Sequence, residues 1–505
     1  MQKTFTTAAS AIVAALLLGA CSTPRNPGVD AIFFNARAYT LDDAQPWAEA
    51  VAVHGGRIVY VGDDAGALAM AGTETVRHDL AGRMLLPAFI DAHMHLIAGG
   101  GYALALSLDT FGSIEDWLQA IGEYARANPD APALFGYGFL ASTFGPEGPT
   151  RQRIDAVVAD RPVLMMDEGF HGAWANTRAL EVLGITRDTP DPVPGFSTYK
   201  RDAAGEPTGY LLEGTAEAAM DALDVLSEDT IVEGTAHVID TLNRYGVTSV
   251  YDAGAFSDLA SLARVLGRLE ASGEMTVRVV GSYLPEGPED IPGAMEAVTA
   301  WSRSLRGEHY HFRVLKIMDD GTVEGRTAAM FEDYQGEPGN RGETVFSEEE
   351  MTGLVTDAAA RDIDVHIHAL GERAVHEALN AIEAARRAHP TSASRYAICH
   401  IQVITDEDLP RFAELGVIAQ STPLWASYDV HGRPFVSQDQ FERYWRFDSL
   451  VKSGARLTFG SDFPASGAGM LGLSPIVQIE IGHTRQEAGE PGAPIQPRES
   501  ERLDI

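Results

Sequence analysis

The sequence has 505 residues, 45% of them hydrophobic and 22% charged, so it is long enough for one large barrel with additions or for three average domains. The formal net charge of -34 at pH 7 argues against nucleic acid and anionic lipid surfaces as partners, because both would repel the chain. No long low-complexity tract or obvious internal repeat interrupts this globular composition.

Residues 1–21 resemble a bacterial lipoprotein signal peptide. An apolar run over residues 8–18 follows Lys3 and is too short to span a bilayer as a mature helix, and small residues precede Cys21 as in a lipobox. Cys21 would become the lipidated first residue, so we expect a protein anchored in the outer or inner membrane of the cell envelope and facing the periplasm. An uncleaved membrane anchor is the alternative. Cys399 is the only other cysteine, so no disulfide can form in the mature chain.

A polar tether over residues 22–29 leads into a small β domain, predicted over residues 30–83. Short apolar strands are predicted at residues 31–34, 50–53 and 57–62, and the turn His54-Gly55-Gly56-Arg57 joins the last two as a hairpin. Residues 84–505 are predicted to form the second and larger domain.

The second domain opens with the stretch from Met84 to His95. Its apolar first part predicts a strand buried on both faces, and it ends in His93 and His95. Because strand side chains alternate with period two, the two histidines point to the same side, roughly 7 Å apart at Cα, and both imidazoles could reach one cation. Two histidines satisfied by hydrogen bonds in a loop are the alternative.

Residues 99–244 are too many for one βα unit and predict a long insertion after barrel strand 1 that covers the site. Helical windows are predicted at residues 114–127, 211–226 and 230–245, with a single apolar strand at residues 163–166. Regular spacing then resumes, with predicted strands at residues 247–252, 276–281, 313–318, 363–368, 396–400, 417–420 and 457–462. With residues 85–95 as the first strand the count closes at eight, so we predict an α/β fold, a (β/α)8 TIM barrel.

Polar side chains follow the predicted strands, with His368, His400 and Asp462 at the ends of strands five, six and eight and Lys316 within strand four. At this point the chain resembles the amidohydrolase superfamily and, within it, the YtcJ-type group (amidohydrolase family 3), which includes N-substituted formamide deformylase. The matching stretches are Pro87–His95, Lys316–Ala328, His368–Val375, His400–Gln402 and Ser461–Pro464, and they span nearly all of the mature chain.

The resemblance implies a metal site held by His93, His95, His368, His400 and Asp462, a donor set that suits zinc. It also implies that Lys316 is N-carboxylated and bridges two zinc ions, whereas an unmodified Lys316 would leave one. A salt-bridged core lysine is the alternative for Lys316. His366 shares the face of His368, and we assign it either a position supporting a ligand or a backbone-bonded place in the core.

The implied reaction is hydrolysis of amide-type C–N bonds in N-acyl or N-formyl compounds, with metal-activated water and Asp462 as general base and then general acid. A structural N-cap is the alternative for Asp462. A carboxylic ester or lactone hydrolase is the alternative activity, and an inactive, truncated binding lipoprotein is the alternative from another class. The expected partner is a small-molecule substrate, and the oligomeric state stays open between a monomer and a homodimer.

The insertion contains one further family-like element, His171-Gly172-Ala173-Trp174-Ala175-Asn176. We expect His171 to bond the substrate carbonyl oxygen as a catalytic residue, and Trp174 and Asn176 to form the substrate pocket wall and fix the loop. Glu213 also matches a family stretch and is predicted to bind substrate, with a solvated helix-start carboxylate as the alternative.

The chain departs from the family pattern at three places. Ala88 replaces a glycine. Cys399 replaces a glutamate before His400 and, as its neighbour on a strand, is expected to point away from the metal and serve packing. The sequence also ends at Ile505, where the resemblance leads us to expect strands that complete the N-terminal β unit, so that unit is predicted to be incomplete with an unpaired edge.

Overall fold

The computed structural model describes residues 28–110, 112–145, 147–254, 258–428, 432–465 and 468–504. The chain divides into two compact units, one up to Ala88 and one from Phe89 onward. The predicted signal peptide and its Cys21 lie outside the described residues. Within the described ranges, no helix is both long and apolar enough to cross a membrane.

The first unit contains two small sheets. Its elements are β1 (Ala31–Phe34), β2 (Arg37–Tyr39), β3 (Trp47–Ala48), β4 (Ala50–His54), β5 (Arg57–Gly62), α1 (Asp64–Ala69), β6 (Val76–Asp79) and β7 (Met84–Leu85). One sheet has the order β5-β4-β1-β6 and the other β3-β2-β7. His54 pairs with Arg57, which confirms the predicted hairpin. Ile58 and Val76, on the two edge strands of the larger sheet, are 66% and 54% exposed.

Barrel strand 1 is shorter than predicted. The prediction began it at Leu85, but Met84 and Leu85 pair with Arg37 and Ala38 in the first unit, and β8 spans Phe89–Met94. Pro87 separates the two strands and has no N–H to donate to a ladder. Ile90 is 68% exposed, so the prediction that this strand is buried on both faces is wrong at that position.

The insertion between β8 and the next barrel strand has its own six-stranded sheet. Its strands are β9 (Leu106–Ser107), β10 (Leu134–Phe139), β11 (Val163–Asp167), β12 (Gly172–Ala175), β13 (Tyr199–Arg201) and β14 (Pro207–Leu212), in the order β13-β14-β12-β11-β10-β9. Only β11 was predicted, because the others are short or, like β10 with Gly136 and Gly138, rich in glycine. The helices here are α2 (Leu96–Tyr102), α3 (Ile114–Ala127), α4 (Arg151–Asp155), α5 (Thr177–Leu183), α6 (Gly214–Ala222) and α7 (Glu228–Arg244).

The remaining strands form the barrel with β8. They are β15 (Val247–Asp252), β16 (Arg278–Tyr283), β17 (Tyr310–Met318), β18 (Asp364–Ala369), β19 (Tyr396–His400), β20 (Ile418–Ser421) and β21 (Arg456–Phe459). All neighbouring pairs from β8 to β21 are parallel, which confirms the predicted α/β barrel architecture. The accompanying helices are α8 (Leu259–Ser272), α9 (Ala294–Ser304), α10 (Glu348–Ala359), α11 (Glu372–Ala388), α12 (Leu409–Leu415), α13 (Pro423–Tyr428), α14 (Gln438–Glu442), α15 (Phe447–Lys452) and α16 (Pro475–Thr484).

Backbone hydrogen bonds join the segment after β21 to β8. The Asp462 N–H donates to the His93 carbonyl at 2.8 Å, and the His95 N–H donates to the Phe463 carbonyl at 2.8 Å. Gly460 allows this close approach, because a Cβ there would lie 2.5 Å from the His93 nitrogen. The ends of the first and last strands are therefore held together where the predicted site residues lie.

Strand alternation separates the core from the site. In β18, Val365 and Ile367 pack outward among buried side chains of the surrounding helices. His366 and His368 alternate with them and so point into the barrel.

Candidate metal centre and active site

Asp462 lies at the centre of the predicted site, although the strand that was expected to carry it ends three residues earlier, at Phe459. Its Oδ1 lies 3.2 Å from His93 Nε2 and 3.5 Å from His95 Nε2, and its Oδ2 lies 3.6 Å from His400 Nδ1. Asp462 is 2% exposed. The ends of β8 and β19 thus bring three histidines to one carboxylate.

Four side-chain atoms of the predicted metal ligands are buried and have no hydrogen-bond partner among the described residues. They are His93 Nε2, His368 Nε2, His400 Nδ1 and Asp462 Oδ1. Four ligands placed about 2.1 Å from one zinc ion in a tetrahedron would lie about 3.4 Å from each other. Measured separations of 3.2 to 3.6 Å around Asp462 match that spacing. The donor set therefore fits a divalent metal ion.

In two of the predicted histidine ligands, the ring nitrogen that does not face Asp462 contacts another part of the protein. His95 Nδ1 lies 3.0 Å from the Gly254 carbonyl oxygen, to which only a protonated Nδ1 can donate, so Nε2 is the nitrogen whose lone pair could bind a metal ion. His93 Nδ1 lies 3.2 Å from His366 Nε2, and the His366 ring stacks on Tyr251 with centroids 4.6 Å apart. His366 thus contacts a predicted ligand rather than the backbone, which places it in the supporting position.

Burial shapes the charge state of the cluster. It lowers the pKa of His93 to about 4 and those of His368 and His400 well below the ordinary value, so these imidazoles are neutral, as metal ligands must be. Burial acts to raise the pKa of Asp462, but the neighbouring imidazoles of His93 and His400 outweigh burial and hold that pKa well below its usual range. The centre thus combines neutral nitrogen donors with an ionised carboxylate.

Lys316 is fully buried, and its Nζ donates to Cys399 Sγ at 3.2 Å. Among the described residues, no carboxylate lies within ion-pair distance of Nζ, so the salt-bridged alternative for Lys316 is wrong. The expectation that Cys399 points away from the site is also wrong. Its Sγ and donor atoms of His93 and His400 all lie within 4.8 Å of one another. His400 adopts a left-handed φ of 72°, which ends the strand alternation and turns neighbouring side chains to the same side.

His171 approaches the centre from the insertion, with its ring centroid 5.3 Å from that of His368. Its Nδ1 donates to Glu213 Oε2 at 2.6 Å, and Glu213 Oε1 accepts from Thr327 Oγ1 at 2.7 Å. Burial acts to lower the pKa of His171, but the charge of Glu213 and this hydrogen bond outweigh it and raise the pKa to about 9. His171 is therefore a cation at neutral pH.

The structure corrects the prediction that Glu213 binds substrate. Both of its carboxylate oxygens are engaged by the protein, and the residue is 6% exposed, which also excludes the solvated alternative. Its backbone has a φ of 53°, stabilised by the bond from its N–H to the His171 carbonyl at 2.7 Å. Glu213 therefore positions His171.

Trp174 and Asn176 also lie away from the pocket wall where they were predicted. Both are fully buried. Trp174 Nε1 donates to the Thr150 carbonyl and its ring packs against Phe144. Asn176 Oδ1 accepts from Ala179 at the start of α5, while its Nδ2 donates to backbone carbonyls. These side chains therefore point into the core of the insertion and not into the pocket. The role that fits the prediction is that of Asn176, which fixes the loop.

Sequence reasoning missed two residues beside the cluster. Asp320 accepts three backbone N–H groups, from Ala329, Leu370 and Gly371, and its Oδ1 lies 3.8 Å from His368 Nε2. Trp425 stacks on His400 with centroids 5.1 Å apart and an interplanar angle of 9°. Asp320 lies in a stretch that matches the family, but no role was predicted for it. Trp425 lies in α13, after β20, where no site residue was predicted.

The comparisons with known proteins agree with this geometry. An amidohydrolase family model (Amidohydro_3) matches residues 78–488. The exoenzymes regulatory protein AepA of Pectobacterium carotovorum is 30% identical, with 85% of this chain and 92% of that protein covered. The putative amidohydrolase YtcJ of Bacillus subtilis and the N-substituted formamide deformylase of Arthrobacter pascens are 29% and 27% identical, and each alignment covers 94% of this chain and 87% of the relative.

Among solved structures, an uncharacterized metal-dependent hydrolase from Pyrococcus horikoshii aligns with a TM-score of 0.66 and 25% identity, with 90% of this chain and 86% of that chain covered. The predicted resemblance to amidohydrolase family 3 is confirmed by the family match and by the YtcJ and deformylase relatives. This chain belongs to the amidohydrolase family and is a hydrolase that acts on carbon–nitrogen bonds.

Proposed function

We propose that the protein is a metal-dependent hydrolase of amide-type C–N bonds in N-acyl or N-formyl compounds. The observation that carries this proposal is the convergence of buried, unpartnered donor atoms from His93, His368, His400 and Asp462 at one end of the barrel. A buried polar atom without a partner costs free energy, and a metal ion would supply the missing interaction. The similarity to a formamide deformylase favours N-acylated amines as the substrate class.

Zinc is the proposed metal, held by His93, His95, His368, His400 and Asp462, because imidazole and carboxylate donors suit it. When bound, a divalent metal lowers the pKa of water toward neutrality and polarises a carbonyl group. Lys316 is proposed to be N-carboxylated in the zinc-loaded protein, which would replace a buried amine by an anion able to hold a second ion. Support comes from its complete burial and from the lack of any carboxylate partner in the described ranges.

Asp462 is proposed to accept a proton from the attacking water and to pass it to the leaving nitrogen. The neighbouring imidazoles of His93 and His400 keep its carboxylate ionised in spite of burial, so it begins the reaction as a base. Its central position, within 3.6 Å of three histidine nitrogens, suits transfer between a water and a nearby amine.

His171 is proposed to donate a hydrogen bond to the substrate carbonyl oxygen as negative charge develops there. Its Nδ1 is occupied by Glu213, so Nε2 is the nitrogen available for the substrate. A cationic donor makes a stronger hydrogen bond to an oxyanion than a neutral donor does. The Glu213 carboxylate therefore supplies both the orientation of the ring and its charge.

The proposal is tested with zinc-loaded protein and a panel of N-formyl and N-acetyl amines, alongside the corresponding esters. Wild-type protein is expected to hydrolyse the amides. Asp462→Asn is expected to keep its zinc while kcat falls by about 10³-fold or more, because the proton acceptor is lost. His93→Ala is expected to lose both zinc and turnover.

Asp439→Asn is the matched control, since Asp439 is 84% exposed on α14, and it should behave as wild type. Near-full activity of Asp462→Asn on the amides would contradict the assigned role of Asp462. Efficient cleavage of esters or lactones, with no cleavage of any amide, would replace the proposed substrate class by the alternative one.

A further inference from the structure

A narrow recess opens beside His171, and its walls come from both the insertion and the barrel. Asp167 and Glu168, at the end of β11, and Thr322 and Glu324, after β17, line it together with His171 and Trp425. We call this feature the acidic recess, because three of its lining side chains are carboxylates.

The acidic recess adjoins the metal centre on two sides. His171 lines it and lies 5.3 Å, between ring centroids, from His368. Trp425 lines it and stacks on His400. A substrate whose carbonyl group lies at the metal centre would therefore extend its far end toward the recess.

Glu168 is the residue in the acidic recess that most favours a bound cation. It is 7% exposed, and its Oε2 is buried without a hydrogen-bond partner among the described residues. In the described part of the chain, no lysine or arginine lies within ion-pair distance of Asp167 or Glu168. Asp167 accepts the backbone N–H groups of His171 and Gly172 and lies near the His171 cation, whereas Glu168 accepts the Ala141 N–H and keeps its Oε2 unsatisfied. Carboxylates are almost never buried in this way unless a cation pairs with them.

A metal ion is not the occupant that the recess fits. Among the described residues, the groups of three or more ligand atoms within 4.8 Å of each other lie at the metal centre and include none of the recess carboxylates. An organic cation needs no such compact set of donors, because its several N–H groups point to separate acceptors. The recess offers Glu168 Oε2 beside the carboxylates of Asp167 and Glu324, of which Glu324 also accepts from Gln402 Nε2, and it has an aromatic wall.

We propose that the acidic recess binds a positively charged group, such as a primary ammonium, at the far end of the substrate. The natural substrates would then be N-acylated amines that carry a second, cationic nitrogen. This inference rests on the proposed amide hydrolysis for its position in the reaction, but the binding of a cation can be tested without turnover. Burial raises the pKa of Asp167 to about 7 and that of Glu168 well above its ordinary value, a cost that a bound cation would offset.

Two isosteric amides test the proposal. N-(4-aminobutyl)acetamide carries an ammonium where N-pentylacetamide carries a methyl group. In wild-type zinc-loaded protein, kcat/KM is expected to favour the cationic amide by about tenfold or more, as a charge-assisted hydrogen bond in a buried site would give. Glu168→Gln is expected to remove most of that preference while kcat/KM for N-pentylacetamide stays within about twofold of wild type.

Unchanged turnover of the neutral amide also shows that the variant is folded. If Glu168→Gln does not fold, Glu324→Gln is expected to give the same loss of preference. The matched control is Glu181→Gln, since Glu181 is 58% exposed on α5 of the same insertion, and it should keep the wild-type preference.

Calorimetric binding of both amides to zinc-loaded Asp462→Asn separates this proposal from the proposed function. Suppose that wild-type protein hydrolyses no amide, but the cationic amide binds about tenfold more tightly and Glu168→Gln in the Asp462→Asn background removes that difference. Cation binding in the acidic recess is then supported, and the proposed amide hydrolysis is wrong. If both amides are hydrolysed and bound equally, or if Glu168→Gln and Glu324→Gln both leave the preference intact, the recess proposal is overturned and the function stands.

Discussion

Replacing Glu213 by glutamine changes the charge next to His171 and little else. A glutamine side chain has the same shape, and its amide oxygen can still accept the bond that His171 Nδ1 donates at 2.6 Å. What disappears is the negative charge that outweighs burial and raises the pKa of His171 to about 9. Without it, burial is opposed only by the charges of Asp167 and Asp462, and we expect the pKa to fall toward the ordinary value of 6.5.

The size of the effect follows from these two values. A group with a pKa of about 9 is protonated below that pH and loses its proton as the pH rises through it. At pH 8, about 90% of His171 would be a cation in the wild type, whereas about 3% would be in Glu213→Gln if the pKa falls all the way to 6.5. If the imidazolium donates to the developing oxyanion, kcat/KM at pH 8 should therefore fall by up to about thirtyfold.

The assay is the pH profile of kcat/KM for an N-acyl amine between pH 5.5 and about pH 10. The alkaline limb is expected near pH 9 in the wild type and shifted toward about pH 6.5 in Glu213→Gln, with Glu181→Gln as the unshifted control. An alkaline limb that stays near pH 9 in Glu213→Gln would refute the assignment of that limb to His171. A uniform loss of activity at all pH values would indicate that Glu213 acts through packing alone.

Two further predictions concern buried side chains. Asn176→Ala should lower the free energy of unfolding by about 2–4 kcal/mol, seen in urea melts, because it removes the cap of α5 and other buried hydrogen bonds. Its kcat/KM should stay within about twofold of wild type. A large loss of activity without a loss of stability would indicate that Asn176 contacts the substrate after all. If Lys316 carries a carbamate, zinc content should fall from two equivalents toward one in buffer depleted of carbon dioxide and recover with bicarbonate. Two equivalents that do not respond to carbon dioxide would contradict the carbamate.

Much of the barrel could be predicted because its strands combine apolar alternation with a polar residue at the end. The predicted bounds Val247–Asp252 and Tyr396–His400 are the observed ones. The predicted helix over residues 114–127 is also exact, and Ser113 forms a capping box at its start. Local patterns of this kind require no knowledge of the rest of the fold.

The parts that failed depend on tertiary context. The direction of Cys399 followed from strand alternation, which the left-handed backbone of His400 interrupts. Trp174 and Asn176 match a family element, but only the packing of the insertion shows that they are buried within it. The acidic recess joins residues more than 150 positions apart in the sequence, Glu168 and Glu324, and no local pattern relates them.

We expect one divalent ion to bind where the side chains of β8, β18 and β19 meet Asp462. A crystal structure of zinc-loaded protein, with anomalous scattering measured at the zinc absorption edge, tests it directly. We expect an anomalous peak about 2.0–2.2 Å from His93 Nε2 and from Asp462 Oδ1. Zinc-saturated crystals with no anomalous peak within bonding distance of these atoms would contradict it.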